Sequence, residues 1–276
     1  LGPLGTQYLV YNLITRAAQG PNMKMRIFPI IIFLLACLFN ISSYAVVRIG
    51  TPLFQPPFAI NVQNMPIQGF DIALMKMVCE RMKWQCEFIP IVGNDFFTAL
   101  VTNKIDFAIG GIVITPARRQ AFLFSTPYLP SKAGFVTLTS SPIKTLDDLR
   151  DKRVGALKGK VYIEYLSTNF PIPVIPSSYS LYGDLILALK NDEIDAVFLN
   201  YDTALYLAHQ HPSIIRALNE KIPVGEGMGI LTTFDHSADI DEINKILLKN
   251  EEDGTFVKLY NYYFQFFIAP GNKVQN

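Results

Sequence analysis

Two adjacent arginines carry the most suggestive chemistry in the chain. In GGIVITPARRQAFLFSTPY, residues 110–128, Thr115 and Pro116 read as an N-cap and a first helical residue, which puts Arg118 and Arg119 in the opening turn. The positive end of the helix dipole lies there and disfavours a cation by a few tenths of a kcal/mol. A guanidinium kept in such a place asks for an anion, and its planar fork suits a carboxylate. The other constellations are poorer. His209 and His211 diverge on a helix at their spacing, and His236 stands apart, so no metal site is expected. GALKGKV at 155–161 is one residue short of a phosphate loop and has Val where Ser or Thr would bind magnesium. GEGMG at 225–229 precedes a strand, which favours a flexible hinge over a dinucleotide fingerprint. Ser125 in FSTPY lacks the G-x-S-x-G setting of a nucleophile. No catalytic residue and no cofactor follow from these patterns.

The elements that must position Arg118 begin after an export signal. Residues 23–45 carry basic Lys24 and Arg26, an apolar core from Ile27 to Phe39, and the small-x-small site Ser43-Tyr44-Ala45. The apolar core falls short of the roughly 20 residues that span a bilayer. Residues 1–22 show no clear pattern and read as a non-native or misassigned leader. Cys37 lies within the signal segment. Leu34-Leu35-Ala36-Cys37 loosely matches a lipoprotein box, but the bulky Leu35 favours cleavage after Ala45. Beyond it only Cys79 and Cys86 remain, where a helix gives way to a strand. In an oxidising compartment they form a disulfide, with two separate buried thiols as the alternative. The net charge of +1, without a dense basic run, gives no electrostatic footprint for nucleic acid.

From Val46 the pattern alternates. Strands are expected at Val46–Gly50, Cys86–Val92, Ile105–Ile109, Phe135–Thr139, RVGAL, PVIP and IDAVFL. Helices are expected at Phe70–Trp84, Asp95–Thr102, TLDDLRDK, VYIEYLST, LYGDLILALKN and DTALYLAHQ, with a long helical region from Asp239 to about Phe267. That alternation indicates α/β layers with mostly parallel sheets. ALVTNKIDFAIGG at 99–111 and ALKNDEIDAVFLN at 188–200 share a helix that turns into a buried strand through Ile-Asp, which suggests two similar lobes. One lobe is expected to hold 46–136 and 231–276, the other 137–230, joined by two strands with a cleft between them. The aromatic tail YNYYFQFF is expected to pack on the first lobe.

GFDIALMKMVCERMKWQCEF, the Ile-Asp strand leading into GGIVITPARRQAFLFSTPY, RVGALKG, and EEDGTFVKLYNYYF resemble the periplasmic polar-amino-acid-binding proteins of ABC importers. The cysteine spacing is similar to the lysine/arginine/ornithine and histidine branch. The resemblance implies a periplasmic binding protein-like fold, two α/β lobes closing on one amino acid, with delivery to an ABC permease by a monomer. It also implies that Arg118 holds the ligand α-carboxylate, supplemented by backbone N–H groups at Val113 and Val161. For the ammonium the resemblance implies an acid where this chain has Asn200, whose amide oxygen can still accept one hydrogen bond; Asp202 or the Gly111 carbonyl are the substitutes. Gln55 stands where an aromatic ring is common, leaving Phe54 or Phe58 as pocket walls. Arginine or another basic amino acid is the expected ligand. The competing expectations are a cyclohexadienyl dehydratase-like enzyme using Asp202 or Glu164, and a sensory module on the same fold.

Overall fold

The computed structural model describes residues 46–62, 64–91 and 95–265; the signal segment and leader fall outside them. The first part of the chain forms β1 (Val46–Pro52), the hairpin β2 (Phe54–Gln55) and β3 (Ala59–Ile60), α1 (Phe70–Met82), β4 (Gln85–Ile91), α2 (Phe96–Val101), β5 (Phe107–Ala108), α3 (Pro116–Ala121) and β6 (Leu123–Phe124). There follow β7 (Lys132–Leu138), β8 (Arg153–Leu157), α4 (Tyr162–Thr168), β9 (Ile175–Tyr179), α5 (Tyr182–Lys190), β10 (Ala196–Asn200), α6 (Tyr201–Gln210), β11 (Ile215–Ala217) and β12 (Ile222–Pro223). The chain then returns through β13 (Leu231–Thr232) to α7 (Ser237–Glu252) and α8 (Thr255–Phe264). Among the described residues no helix is long and apolar enough to cross a membrane.

These elements build two lobes. The first sheet runs β4-β1-β5-β13-β6, parallel where β1 meets β4 and β5, antiparallel where β13 meets β5 and β6. The second runs β11-β7-β10-β8-β9, with β12 also on β7; β8 is parallel to β9 and β10, whereas β7 is antiparallel to all its partners. The sheets are therefore mixed, because each lobe receives a strand arriving from the other. Both faces of each sheet are covered. Ile49, Leu74, Met75 and Phe107 pack against Ile243 and Phe264 on one face of the first sheet, with Leu100, Ile105 and Ile114 on the other. Phe135, Val154 and Phe198, and separately Leu185, Val197 and Leu207, do the same for the second. The aromatic tail packs on α1, where Phe264 meets Phe70 and Phe58 edge-on at 5.3 and 5.7 Å between ring centres.

The Ile-Asp echo proves to be one device used twice. In the first lobe Asp106 accepts from the Arg48 backbone N–H at 2.7 Å and from its guanidinium Nε and Nη2 at 3.1 and 2.6 Å. In the second, Asp195 accepts from the Arg153 N–H at 2.8 Å and from Nε and Nη2 at 3.1 and 2.8 Å. Each guanidinium also caps the carbonyl of a left-handed turn residue, Asn103 or Asp192. The carboxylate thus ties the turn after a helix to the start of the lobe's leading strand. Cys79 and Cys86 are bonded, with Cα atoms 6.3 Å apart, and pin the end of α1 to β4.

Three local expectations change. TLDDLRDK yields only a single 3-10 turn at Asp147–Leu149, because Asp148 draws in the Lys144 and Thr145 N–H groups and Asp151 then takes a left-handed φ of 58°. The long terminal helix breaks at Gly254, whose φ is 72°. Strand β7 begins at Lys132 and belongs wholly to the second sheet, so the chain crosses between sheets ahead of residue 136. The two crossing segments pair with each other: Tyr128 N–H donates to the Met228 carbonyl, Met228 N–H to Leu129, and Val224 N–H to Ser131.

Candidate functional site

Arg118 is held by this crossing. The Ile112–Ile114 stretch before it is stitched to the returning segment through Gly229 N–H to Ile112 and Ile114 N–H to Gly227. Val113, between them, bridges Met228, so its own N–H and carbonyl turn away from the pair. The turn into α3 then forms as its sequence dictates, with the Thr115 hydroxyl accepting from the Arg118 N–H at 3.2 Å and Pro116 in the first turn. The Arg118 side chain folds back. Its Nη1 donates to the Val113 carbonyl at 2.7 Å, its Nη2 approaches the Gly159 carbonyl at 3.5 Å, and its plane lies 5.0 Å from the centre of the Phe97 ring.

No carboxylate among the described residues lies within ion-pair distance of Arg118. Burial pulls its pKa down, with Tyr162 and Glu164 pushing the other way, yet a guanidinium stays charged. Arg119 differs: its Nε donates to Glu226 at 2.8 Å and both side chains are well exposed, a surface ion pair on the crossing segment. The adjacent arginines therefore divide into one structural pair and one cation whose fork meets only backbone carbonyls.

Arg118 lines a pocket between the lobes with Phe96, Phe97, Gly111, Ile112 and Val113 from the first, and Gly159, Lys160 and Val161 from the second. The pocket holds about 270 Å³ of empty space, open solvent included. Four of the expected residues meet here: Arg118, Gly111, Val113 and Val161. Gly111 needs its φ of 60°, and a side chain on it would run into Gln55 Nε2. Its N–H donates at 2.7 Å to Asp71, whose carboxylate also accepts from the Tyr128 hydroxyl at 2.9 Å. Burial drives the Asp71 pKa up to about 7, against those hydrogen bonds and the charge of Lys160. Its other oxygen is buried without a partner.

Sequence reasoning missed Lys160. Its ammonium crosses the cleft to the Gln55 Oε1 at 2.7 Å, and burial first, then Arg118, lower its pKa to about 7. The only signal was the placement of GKV just before the helix that lines the cleft. Gln55 itself is buried, and its Nε2 has no partner among the described residues. Phe54 packs its ring edge-on against Tyr182 of the other lobe, 6.0 Å between centres. Phe58 is no pocket wall; it is fully buried against Phe264, on the core side.

The expectation for Asn200 also needs correcting. Its amide oxygen accepts from the Asp202 and Thr203 N–H groups at 2.9 and 3.1 Å, capping α6, so it is not an open acceptor for an ammonium. Its NH2 faces the Met228 sulfur at 3.9 Å. The reason is positional: a strand runs straight into a helix there, and the last strand residue must cap it. Asp202, in the first turn, keeps a carboxylate with a pKa raised to about 6 by burial, moderated by Lys132 and Lys221.

Two lobes, a paired crossing and an unpaired guanidinium between them is the frame against which known proteins were compared. The bacterial extracellular solute-binding proteins, family 3, match residues 47–266. The chain belongs to this family. Among similar proteins, the ABC transporter arginine-binding protein 1 of Escherichia coli K12 is 31% identical over 230 residues, covering 82% of this chain and 93% of its own. The lysine/arginine/ornithine-binding periplasmic protein of the same organism is 30% identical, covering 82% and 90%. Among solved structures, an arginine 3rd transport system periplasmic binding protein from Legionella pneumophila is 36% identical with a TM-score of 0.74, covering 79% of this chain and 99% of its own. The fold of this family 3 solute-binding protein is the two-lobed periplasmic binding protein fold, and the relatives named are transport receptors, which speaks against the enzyme alternative.

Proposed function

We propose that the chain is the extracytoplasmic receptor of an ABC importer, capturing an amino acid between its lobes and presenting it to the permease in the membrane. The observation that carries this is Arg118: a half-buried guanidinium, anchored at the crossing, lining an interlobe pocket and lacking a carboxylate among the described residues. A ligand α-carboxylate supplies that missing partner through a bidentate, charge-assisted pair. The free Val113 N–H supports the same end of the ligand. Lobe closure is then driven by the ligand's differential affinity for the closed form. The Cys79–Cys86 bond suits the periplasm, and relatives named for arginine bring that amino acid forward as a candidate.

A thermal-shift panel of the standard amino acids tests this. The true ligand raises Tm, by about 2.7 kcal/mol of added stability at a hundredfold excess over Kd. Arg118→Ala removes the shift while leaving the unliganded Tm within a few degrees. A flat panel, or a shift that survives Arg118→Ala, refutes the reading.

A further inference from the structure

The cleft is rich in donors and poor in acceptors. Arg118 and Lys160 put two cations into one small pocket. The Gln55 NH2 is buried without a partner, and the Asn200 NH2 meets only a sulfur. Against these stand few acceptors. Asp71 sits behind Gly111, with one oxygen already accepting from Gly111 and Tyr128. The Asn200 oxygen is engaged by the α6 N–H groups, which leaves the unpartnered second oxygen of Asp71 as the acceptor. Lys160 has no carboxylate partner among the described residues; its one hydrogen bond, to Gln55, is to a neutral amide across the cleft.

We propose that Lys160 is a specificity-determining ligand contact whose ammonium meets a second carboxylate of the ligand, so that the cleft takes a dicarboxylic amino acid in preference to a cationic one. This rests on the receptor reading above, with Arg118 on the α-carboxylate. The two cations of the cleft then face two carboxylates of the ligand. A guanidinium or ammonium side chain would instead enter between Lys160 and the Gln55 NH2, adding a cation where two already repel. The lowered pKa of Lys160 agrees, since a partly desolvated cation beside Arg118 is unfavourable until an anion joins it.

Calorimetric titration of the protein at pH 7 with glutamate, aspartate, glutamine and arginine tests the proposal. Glutamate or aspartate binds at least tenfold tighter than glutamine and arginine. Lys160→Met narrows the gap between the acid and glutamine to under threefold, and Lys160→Arg, which keeps the charge, retains most of it. Arginine binding tightest, or a gap unchanged in Lys160→Met, overturns the proposal. If arginine wins and Arg118→Ala abolishes its binding, the receptor reading stands and only the role of Lys160 falls. If none of the four binds, the role of Lys160 falls, and the receptor reading is decided by the full amino-acid panel.

Discussion

The two lobes are alike where they hold themselves together and unlike where they face each other. Arg48–Asp106 and Arg153–Asp195 repeat the same contacts from backbone N–H and guanidinium, down to the left-handed turn residue each arginine caps. At the cleft the symmetry ends. After β5 the first lobe inserts Gly110 to Thr115 before α3, and this detour carries the Arg118 side chain inward. After β10 the second lobe goes straight into α6, so Asn200 serves as its cap and has no free oxygen for a ligand. A residue type repeated with its geometry marks the frame. A charged side chain present in one lobe only, and left without a counter-charge, marks the site.

Three measurements bear on that comparison, the largest effect first. The disulfide belongs to the first lobe alone; replacing Cys79 and Cys86 by Ser lowers unfolding stability by about 2–3 kcal/mol in denaturant melts. Loss of ligand binding along with it would mean the bond shapes the cleft and not just the frame. Asp106→Ala and Asp195→Ala each cost about 1–2 kcal/mol, discounted for partial exposure of the ion pairs, with ligand affinity within threefold of the parent. Costs that differ more than twofold would break the equivalence of the two devices. The smallest effect is in pH. Burial works against ionisation of Asp106, but its bonds from Arg48 prevail; for Asp195 the Arg153 hydrogen bonds are the leading cause, and both pKa values are lowered. A carboxylate depressed in the folded state stabilises above its unfolded value of about 4 and loses that contribution as pH falls through its folded value. Acid melts between pH 5 and 2 therefore steepen for the parent and flatten for the double Asp variant.

Much of the frame was readable because it rests on local pattern. Helical spacing gave α1, the buried apolar run gave β8, and the repeated Ile-Asp pointed to paired lobes. What could not be read depends on side-chain contacts and junctions that apolar spacing does not report, some local and some far along the chain. Asp148 is a helix-start residue by composition, yet its local turn closes on Lys144 and Thr145 and leaves one turn of helix. Asn200 looks like a site residue until β10 and α6 are seen to join without a loop. Lys160 has no motif around it, and only the approach of the lobes places it against Gln55, a contact spanning 105 residues. Asp71 looks like an ordinary first-turn acid of a helix until the Gly111 turn is laid over it. Arg118 was legible for the opposite reason: its cap, its proline and its misfit with the helix dipole are all local.

The most direct test is a crystal structure of the protein with its ligand, read at the Arg118 guanidinium. The account predicts a carboxylate paired with both guanidinium nitrogens inside the interlobe cleft and Lys160 turned from Gln55 toward the ligand. A ligand lodged elsewhere, or a guanidinium still bonded only to the Val113 carbonyl with ligand present, would contradict it.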